Sequence, residues 1–142
     1  VNIPRPRISL TAPPEPSVFG PLSVTDFVVY QGASGDLAAI HHDPAVAGAA
    51  GYEKPFAPGM YPAGLLASWA TSWLGAVNIR RYKVRFAQMV WPGDTLTCSG
   101  TITGTEVRGC DTLVDVELEA RAGDTVVVKG WASFAVPDSE MI

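Results

Sequence analysis

The longest feature in the hydrophobic pattern is MYPAGLLASWATSWLG, Met60 to Gly75, which is apolar on nearly every side. A helix over Met60–Leu74 fits it, with Gly75 behind the last turn and Pro62 tolerable because it falls in the first. A helix with so little polar surface must be buried on most faces, so something has to wrap it. The wrapping material follows in sequence. Tyr82, Val84 and Phe86 alternate with Arg81, Lys83 and Arg85, the period of two that gives a strand one apolar face. Trp91-Pro92-Gly93-Asp94 carries Pro and Gly in turn order, and strand-like runs follow at about 95–106, 112–121 and 125–136. Arg108-Gly109 and Gly123-Asp124 punctuate those runs as hairpin turns. The second half is therefore an antiparallel sheet. The fold class is α+β, one sheet curled around one long apolar helix. Such a sheet leaves open edges that a second copy or a related chain would close, so a dimer is expected.

The first half is punctuated differently. Six of the 12 prolines, Pro4, Pro6, Pro13, Pro14, Pro16 and Pro21, fall in residues 1–21. Proline fixes φ and removes a donor, so this stretch reads as an extended arm lying over its own domain or a partner subunit, and residues 22–142 as a single domain. Ser23 or Thr25 can cap a short helix through Phe27, Val28 and Tyr30 that stops within Gly32–Gly35. Asp43-Pro44 reads as an N-cap followed by Pro at the first helical position, with Gly51 placed to end that helix. The loop Tyr52–Gly59 then leads into the long apolar segment.

Composition narrows the class. A chain of 142 residues that is 47% hydrophobic suits one domain with its own core and argues against global disorder. Ten basic residues against 14 acidic give a net charge of −4, which disfavours broad nucleic-acid binding. No apolar run approaches the ~18 residues of a membrane span. The start VNIPRPR lacks the apolar core of a secretion signal, so the chain reads as intracellular and cytoplasmic. Cys98 and Cys110, outside any CxxC, read as reduced packing residues, and no zinc site is expected.

Both histidines lie in one stretch, SGDLAAIHHD, Ser34 to Asp43. His41, His42 and Asp43 are consecutive and cannot converge on a metal with no further histidine in the chain. Ser34 in GASG lacks the spacing of a nucleophile elbow, and no glycine-rich phosphate loop is present. Asp36 and His41 remain, on a loop between two short helices. A carboxylate and an imidazole can jointly hold one water and add it to, or remove it from, an activated double bond. The bland alternative has Asp36 capping a turn and His41 bonded to a backbone carbonyl. A second feature favours chemistry: FAPGM, Phe56 to Met60, puts Gly59 at the N-terminus of the apolar helix, where free N–H groups can stabilise a developing enolate oxygen.

These residues carry a family resemblance. Y-x-G-x-S-G-D-x-x-x-I-H-x-D over Tyr30–Asp43 resembles the signature of MaoC-like (R)-specific enoyl-thioester hydratases and 3-hydroxyacyl dehydratases. Pro58-Gly59-Met60, Val84-Arg85-Phe86 and Trp91–Leu96 match as well, so the resemblance covers about residues 24–136. It implies a hot-dog fold. It also implies Asp36 and His41 acting on the water, Gly59 supplying the oxyanion N–H, and an acyl-CoA or acyl carrier protein thioester as substrate. The reaction implied is syn hydration of the trans-2 double bond or its reversal, without metal or redox cofactor. The chain departs from the family pattern at Ala38-Ala39, where Asn-Pro is common, and at Pro58, where many members have His. Asn can brace the loop and Pro stiffen it, so Ala at both weakens positioning. His42 has no matched role and flanks the helix start at Asp43.

Two further groups are candidates for substrate contact. Arg81, Lys83 and Arg85, with Arg80, make four of the 10 basic residues within six positions. They can meet CoA phosphates or an acidic carrier protein, or else form one solvated strand face. Tyr61, Trp69 and Trp73 can line an acyl tunnel or simply fill the core. A hot-dog thioesterase, and a non-catalytic subunit of a heteromeric hot-dog dehydratase, are the competing functional readings.

Overall fold

The computed structural model describes residues 7–142. Its elements in chain order are β1 (Ser17–Phe19), α1 (Val24–Ser34), α2 (Pro44–Ala49), α3 (Met60–Leu74), β2 (Ile79–Phe86), β3 (Leu96–Arg108), β4 (Asp111–Ala122) and β5 (Thr125–Pro137). Local signals set most of these boundaries. Ser23 Oγ accepts the Asp26 N–H while Asp26 accepts the Ser23 N–H, a reciprocal capping box at the start of α1. Asp43 Oδ1 accepts from the Ala45 and Val46 amides, with Pro44 in the first turn of α2. Helix α3 has the bounds its apolar pattern predicts.

The five strands form one antiparallel sheet in the order β1-β3-β4-β5-β2. Register shifts at Ile102/Gly104, Ala120/Arg121 and Ile79/Arg81 mark bulges, which bend and twist a ladder. The sheet curls around α3, the hot-dog arrangement. Leu66, Trp69, Ala70 and Leu74 of α3 are buried with Leu96, Leu118, Val128 and Phe134 of the sheet. Close approach of helix to sheet depends on Gly100. A Cβ there would stand 2.5 Å from Leu118 Cδ2, 2.7 Å from the Glu117 carbonyl oxygen and 3.0 Å from Trp69 Cζ3.

The arm covers what the sheet leaves. Trp69 Nε1 donates to the Glu15 carbonyl at 3.1 Å and Trp73 Nε1 to the Ser9 carbonyl at 3.1 Å, so residues 9–15 lie along the outer side of α3. Ile8 bridges in parallel to Met141. Of the proline-rich arm, residues 1–6 lie outside the described residues. Its far end supplies β1, a strand with no counterpart in the sequence pattern. Because β1 pairs only with Leu96–Cys98, the edge of β3 beyond it and the outer edge of β2 carry no strand among the described residues.

Cys98 is buried and Cys110 exposed, both as free thiols. Burial pushes the Cys98 thiol up to about 12, which keeps it protonated and inert. A thiol reagent at pH 8 is therefore expected to modify one cysteine per native chain and two in denaturant. Rapid modification of both in the native state would contradict this packing. The Gly100→Ala variant is expected to lose about 1–3 kcal/mol in urea unfolding, the usual cost of overpacking.

Candidate active site

The Asp36–His41 loop is shaped by backbone and side-chain bonds together. Helix α1 ends at Gly35, whose φ of 79° is the left-handed cap, and its N–H bonds to the Gln31 carbonyl. The Asp36 N–H donates to Ser34 Oγ at 3.3 Å, and Asp36 Oδ1 accepts the Ala38 N–H at 3.4 Å, an Asx-type turn. A single 3-10 turn over Ala39–His41 follows, closed by His41 N–H to the Ala38 carbonyl at 3.2 Å and His42 N–H to the Ala39 carbonyl at 3.0 Å. Asp36 is exposed and His41 half-buried, and no hydrogen bond joins them directly.

His41 Nδ1 lies 2.8 Å from the Phe56 carbonyl oxygen. A carbonyl can only accept, so Nδ1 carries a proton, and in the uncharged form of the ring the lone pair lies on Nε2. The His41 ring also meets Phe56 edge-on, with centroids 5.1 Å apart at 90°. Both contacts named as the bland alternative are thus present, a turn at Asp36 and a backbone carbonyl on His41. Neither occupies Asp36 Oδ2 or His41 Nε2, the atoms that would hold a water.

Phe56 connects this imidazole to the start of α3. The next residue is pinned by Ala57 N–H to the Val90 carbonyl at 2.9 Å, and Tyr61 N–H bonds to the Pro58 carbonyl at 2.9 Å. Gly59 is exposed at the N-cap of α3 and has no side-chain cap. Its N–H and that of Met60 take no protein acceptor among the described residues. A Cβ on Gly59 would lie 3.4 Å from Phe86 Cε1, so the ring at the end of β2 rests over the glycine. Phe56, Ala57, Gly59, Pro62, Phe86 and Val90 line a predominantly apolar cleft of about 360 Å³. Asp36 and His41 are not among its lining residues; His41 reaches the cleft only through Phe56.

The remaining candidates separate. Tyr61 packs against Tyr30 and Phe27 of α1, with centroids 5.2 and 6.0 Å away, and burial together with the Asp26 charge raises its phenol above the usual range. Trp69 belongs to the core, and Trp73 packs against it. Arg81, Lys83 and Arg85 point to the outer side of β2, opposite to Phe86, because successive residues of a strand alternate faces. There Lys83 Nζ stands 5.7 Å from the centre of the Trp131 ring. No cluster of three or more His, Cys, Asp or Glu side chains suited to a metal occurs among the described residues. None of their helices is long and apolar enough to cross a membrane.

Two residues of the site escaped the sequence reading. Gln31 is 2% exposed, and its Nε2 donates to the Asp36 carbonyl at 2.7 Å and the Ala38 carbonyl at 2.9 Å. His42, which the sequence left without a role, places Nδ1 2.8 Å from Gln31 Oε1. The loop is therefore braced despite Ala38-Ala39, from α1 rather than from within. One signal was available: Gln31 stands four residues after Phe27 on the buried face of α1, where an amide must find partners.

A curled sheet around a buried helix, with a histidine tied to the loop that opens the helix, defines a hot-dog protein with an apolar cleft at the helix start. The chain belongs to the MaoC like domain family, whose sequence profile matches residues 8–123. It is 34% identical over 87 residues to the peroxisomal multifunctional enzyme type 2 of Mus musculus, a match covering 59% of this chain. The chain spans only 12% of the length of that curated relative. Among solved structures, it resembles the ChsH1-ChsH2 complex from Mycobacterium tuberculosis, with TM-score 0.76, 24% identity, and 89% of this chain and 95% of that one covered. The (R)-hydratase from A. caviae involved in PHA biosynthesis gives TM-score 0.73 at 21% identity, over 87% of this chain and 95% of that one. A chain described as a MaoC-like dehydratase gives 0.72 at 26% identity, over 92% of this chain and 42% of that one. At these identities the likeness to the first two shows the fold.

Proposed function

We propose that this chain hydrates trans-2-enoyl thioesters to (R)-3-hydroxyacyl thioesters, or runs the reverse dehydration. The observation that carries the reading is that Asp36 Oδ2 and His41 Nε2, on one short loop, are both left without a hydrogen-bond partner among the described residues. The bond from His41 Nδ1 to the Phe56 carbonyl ties the ring to the segment that leads to Gly59, a residue lining the cleft whose N–H takes no protein acceptor among the described residues. In hydration, His41 takes a proton from a water that Asp36 also holds, and the water oxygen bonds to C3 of the enoyl group. Electrons of the C2–C3 double bond move toward the thioester carbonyl, whose enolate oxygen accepts the Gly59 N–H. Returning the water's proton to C2 on the same face completes syn addition; dehydration retraces these steps with His41 as the acid. The apolar cleft suits the acyl portion. Arg81, Lys83 and Arg85 offer their outer face to CoA phosphates or an acidic carrier protein. The strand edges of β2 and β3 suit a second hot-dog subunit, either another copy or a related chain, as in the ChsH1-ChsH2 complex that shares the fold.

Asp36→Asn and His41→Ala are each expected to lower enoyl-CoA hydration about 10²–10⁴-fold with unchanged circular dichroism. The measurement is loss of enoyl absorbance with a panel of enoyl-CoA thioesters of differing bulk. Full activity in either variant sinks the assignment. Release of free thiol without loss of the double bond would identify a thioesterase instead.

A further inference from the structure

We infer that Gln31 is a positioning residue for the proposed hydration, clamping the loop that carries Asp36 and His41 in concert with His42. The inference rests on that functional reading for its kinetic meaning, but its geometry stands apart from it. Gln31 is buried, and all three of its side-chain hydrogen bonds go to the loop: Nε2 to the carbonyls of Asp36 and Ala38, Oε1 to His42 Nδ1. The two carbonyls fix the orientation of the amide, since only its NH₂ can donate to both. Oε1 is then an acceptor and His42 Nδ1 a donor. The side chain of His42 is thereby a tether, with the loop gripped at Asp36, Ala38 and His42 by one amide.

The grip falls at the places that aim the two reacting groups. Holding the Asp36 carbonyl fixes the peptide that follows the Asp36 side chain. The Ala38 carbonyl accepts from Gln31 Nε2 and from the His41 N–H, so it joins the clamp to the turn that delivers the imidazole. His42 follows His41 directly, and its ring is pulled toward α1 while the His41 ring is pulled toward Phe56. The strand-like stiffness that Asn-Pro would give within the loop is absent at Ala38-Ala39. A helix-borne amide supplies the restraint from outside. Removing it leaves the Asp36 carbonyl without its donor and the Ala38 carbonyl with the His41 N–H alone, and frees the loop to drift; a misplacement of about 1 Å can cost about 10²-fold in rate.

The test compares the full chain with Gln31→Met, which keeps length and apolar bulk but makes none of the three bonds. On an enoyl-CoA substrate, kcat is expected to fall about 10- to 100-fold with KM changed less than about threefold. The circular dichroism spectrum should be unchanged. Because the chain has two histidines, nitrogen-15 spectra of both rings can be assigned. His42 is expected to hold its proton on Nδ1 in the parent chain and to lose that fixed tautomer in Gln31→Met, while His41 keeps its own. Wild-type kcat in a folded Gln31→Met variant overturns the positioning role. If that variant does not fold, His42→Ala removes one bond of the clamp at an exposed position. It should lower kcat about 3- to 10-fold, less than the loss of the whole clamp, and unchanged kcat there overturns the inference. A parent chain with no activity on any enoyl thioester would defeat the proposed function instead. The clamp is then decided by the spectra: a His42 signal identical in the parent and Gln31→Met overturns it.

Discussion

A helix without a polar side is the constraint from which the rest of this protein follows. Beyond Met60 in its first turn, only a thin stripe of α3 at Ser68 and Ser72 is exposed, and its other faces need a covering. The sheet supplies most of it by curling, and Gly100 lets it come close enough to touch Trp69. The two indole N–H groups on the uncovered side need acceptors, which a sheet with paired backbone groups does not offer. An extended arm does. Its residues have no ladder partner there, so the carbonyls of Ser9 and Glu15 are free to accept from Trp73 and Trp69. Pro13, Pro14 and Pro16 restrict the backbone of this segment and remove donors that would otherwise need partners of their own.

The same burial dictates where chemistry can occur. A helix sheathed along its length exposes backbone donors only where it begins, and Gly59 with Met60 occupies that point. Any group meant to cooperate with those donors has to be brought to them by neighbouring segments. A relay of bonds runs from the Gln31 amide to the Ala38 carbonyl, across the Ala39–His41 turn, and from His41 Nδ1 to the Phe56 carbonyl, three residues before Gly59. The Ala57 amide then anchors that segment on Val90. Placement of the imidazole is consequently a property of α1, the loop and the α3 approach together.

Periodic features of the chain were legible because periodicity is a local consequence of burial. Met60–Leu74 read as the helix it is, and the alternation at 81–86 and the turns at Gly109 and Gly123 located the strands to within a few residues. Asp36, His41 and Gly59 were legible as candidates because their residue types carry chemistry at a recognisable spacing. What was not legible shares a different physics. Strand β1 is three residues in a proline-rich arm, too short to show a period. The acceptor that fixes the His41 tautomer is the backbone of Phe56, and a carbonyl belongs to every residue alike. Bracing of the loop was sought inside it, at Ala38-Ala39, whereas the bonds come from a side chain on the preceding helix. A restraint can move in the sequence and still act on the same atoms.

Adjacency of His41 and His42 is explained by that division of labour. Neighbouring residues in a tight turn project in different directions, so two imidazoles in sequence cannot easily serve one point in space. Here the first ring bonds to Phe56 on the α3 approach and the second to Gln31 on α1. Each receives the same chemical instruction, a proton on Nδ1, because each faces an oxygen that can only accept. Their settings differ. The half-buried His41 stands beside the loop that opens α3, whereas the exposed His42 spends its donor holding the loop in place. An imidazole suits both tasks since it donates through Nδ1 at neutral pH whether or not Nε2 is protonated, so a tether built this way does not let go when the ring gains a proton.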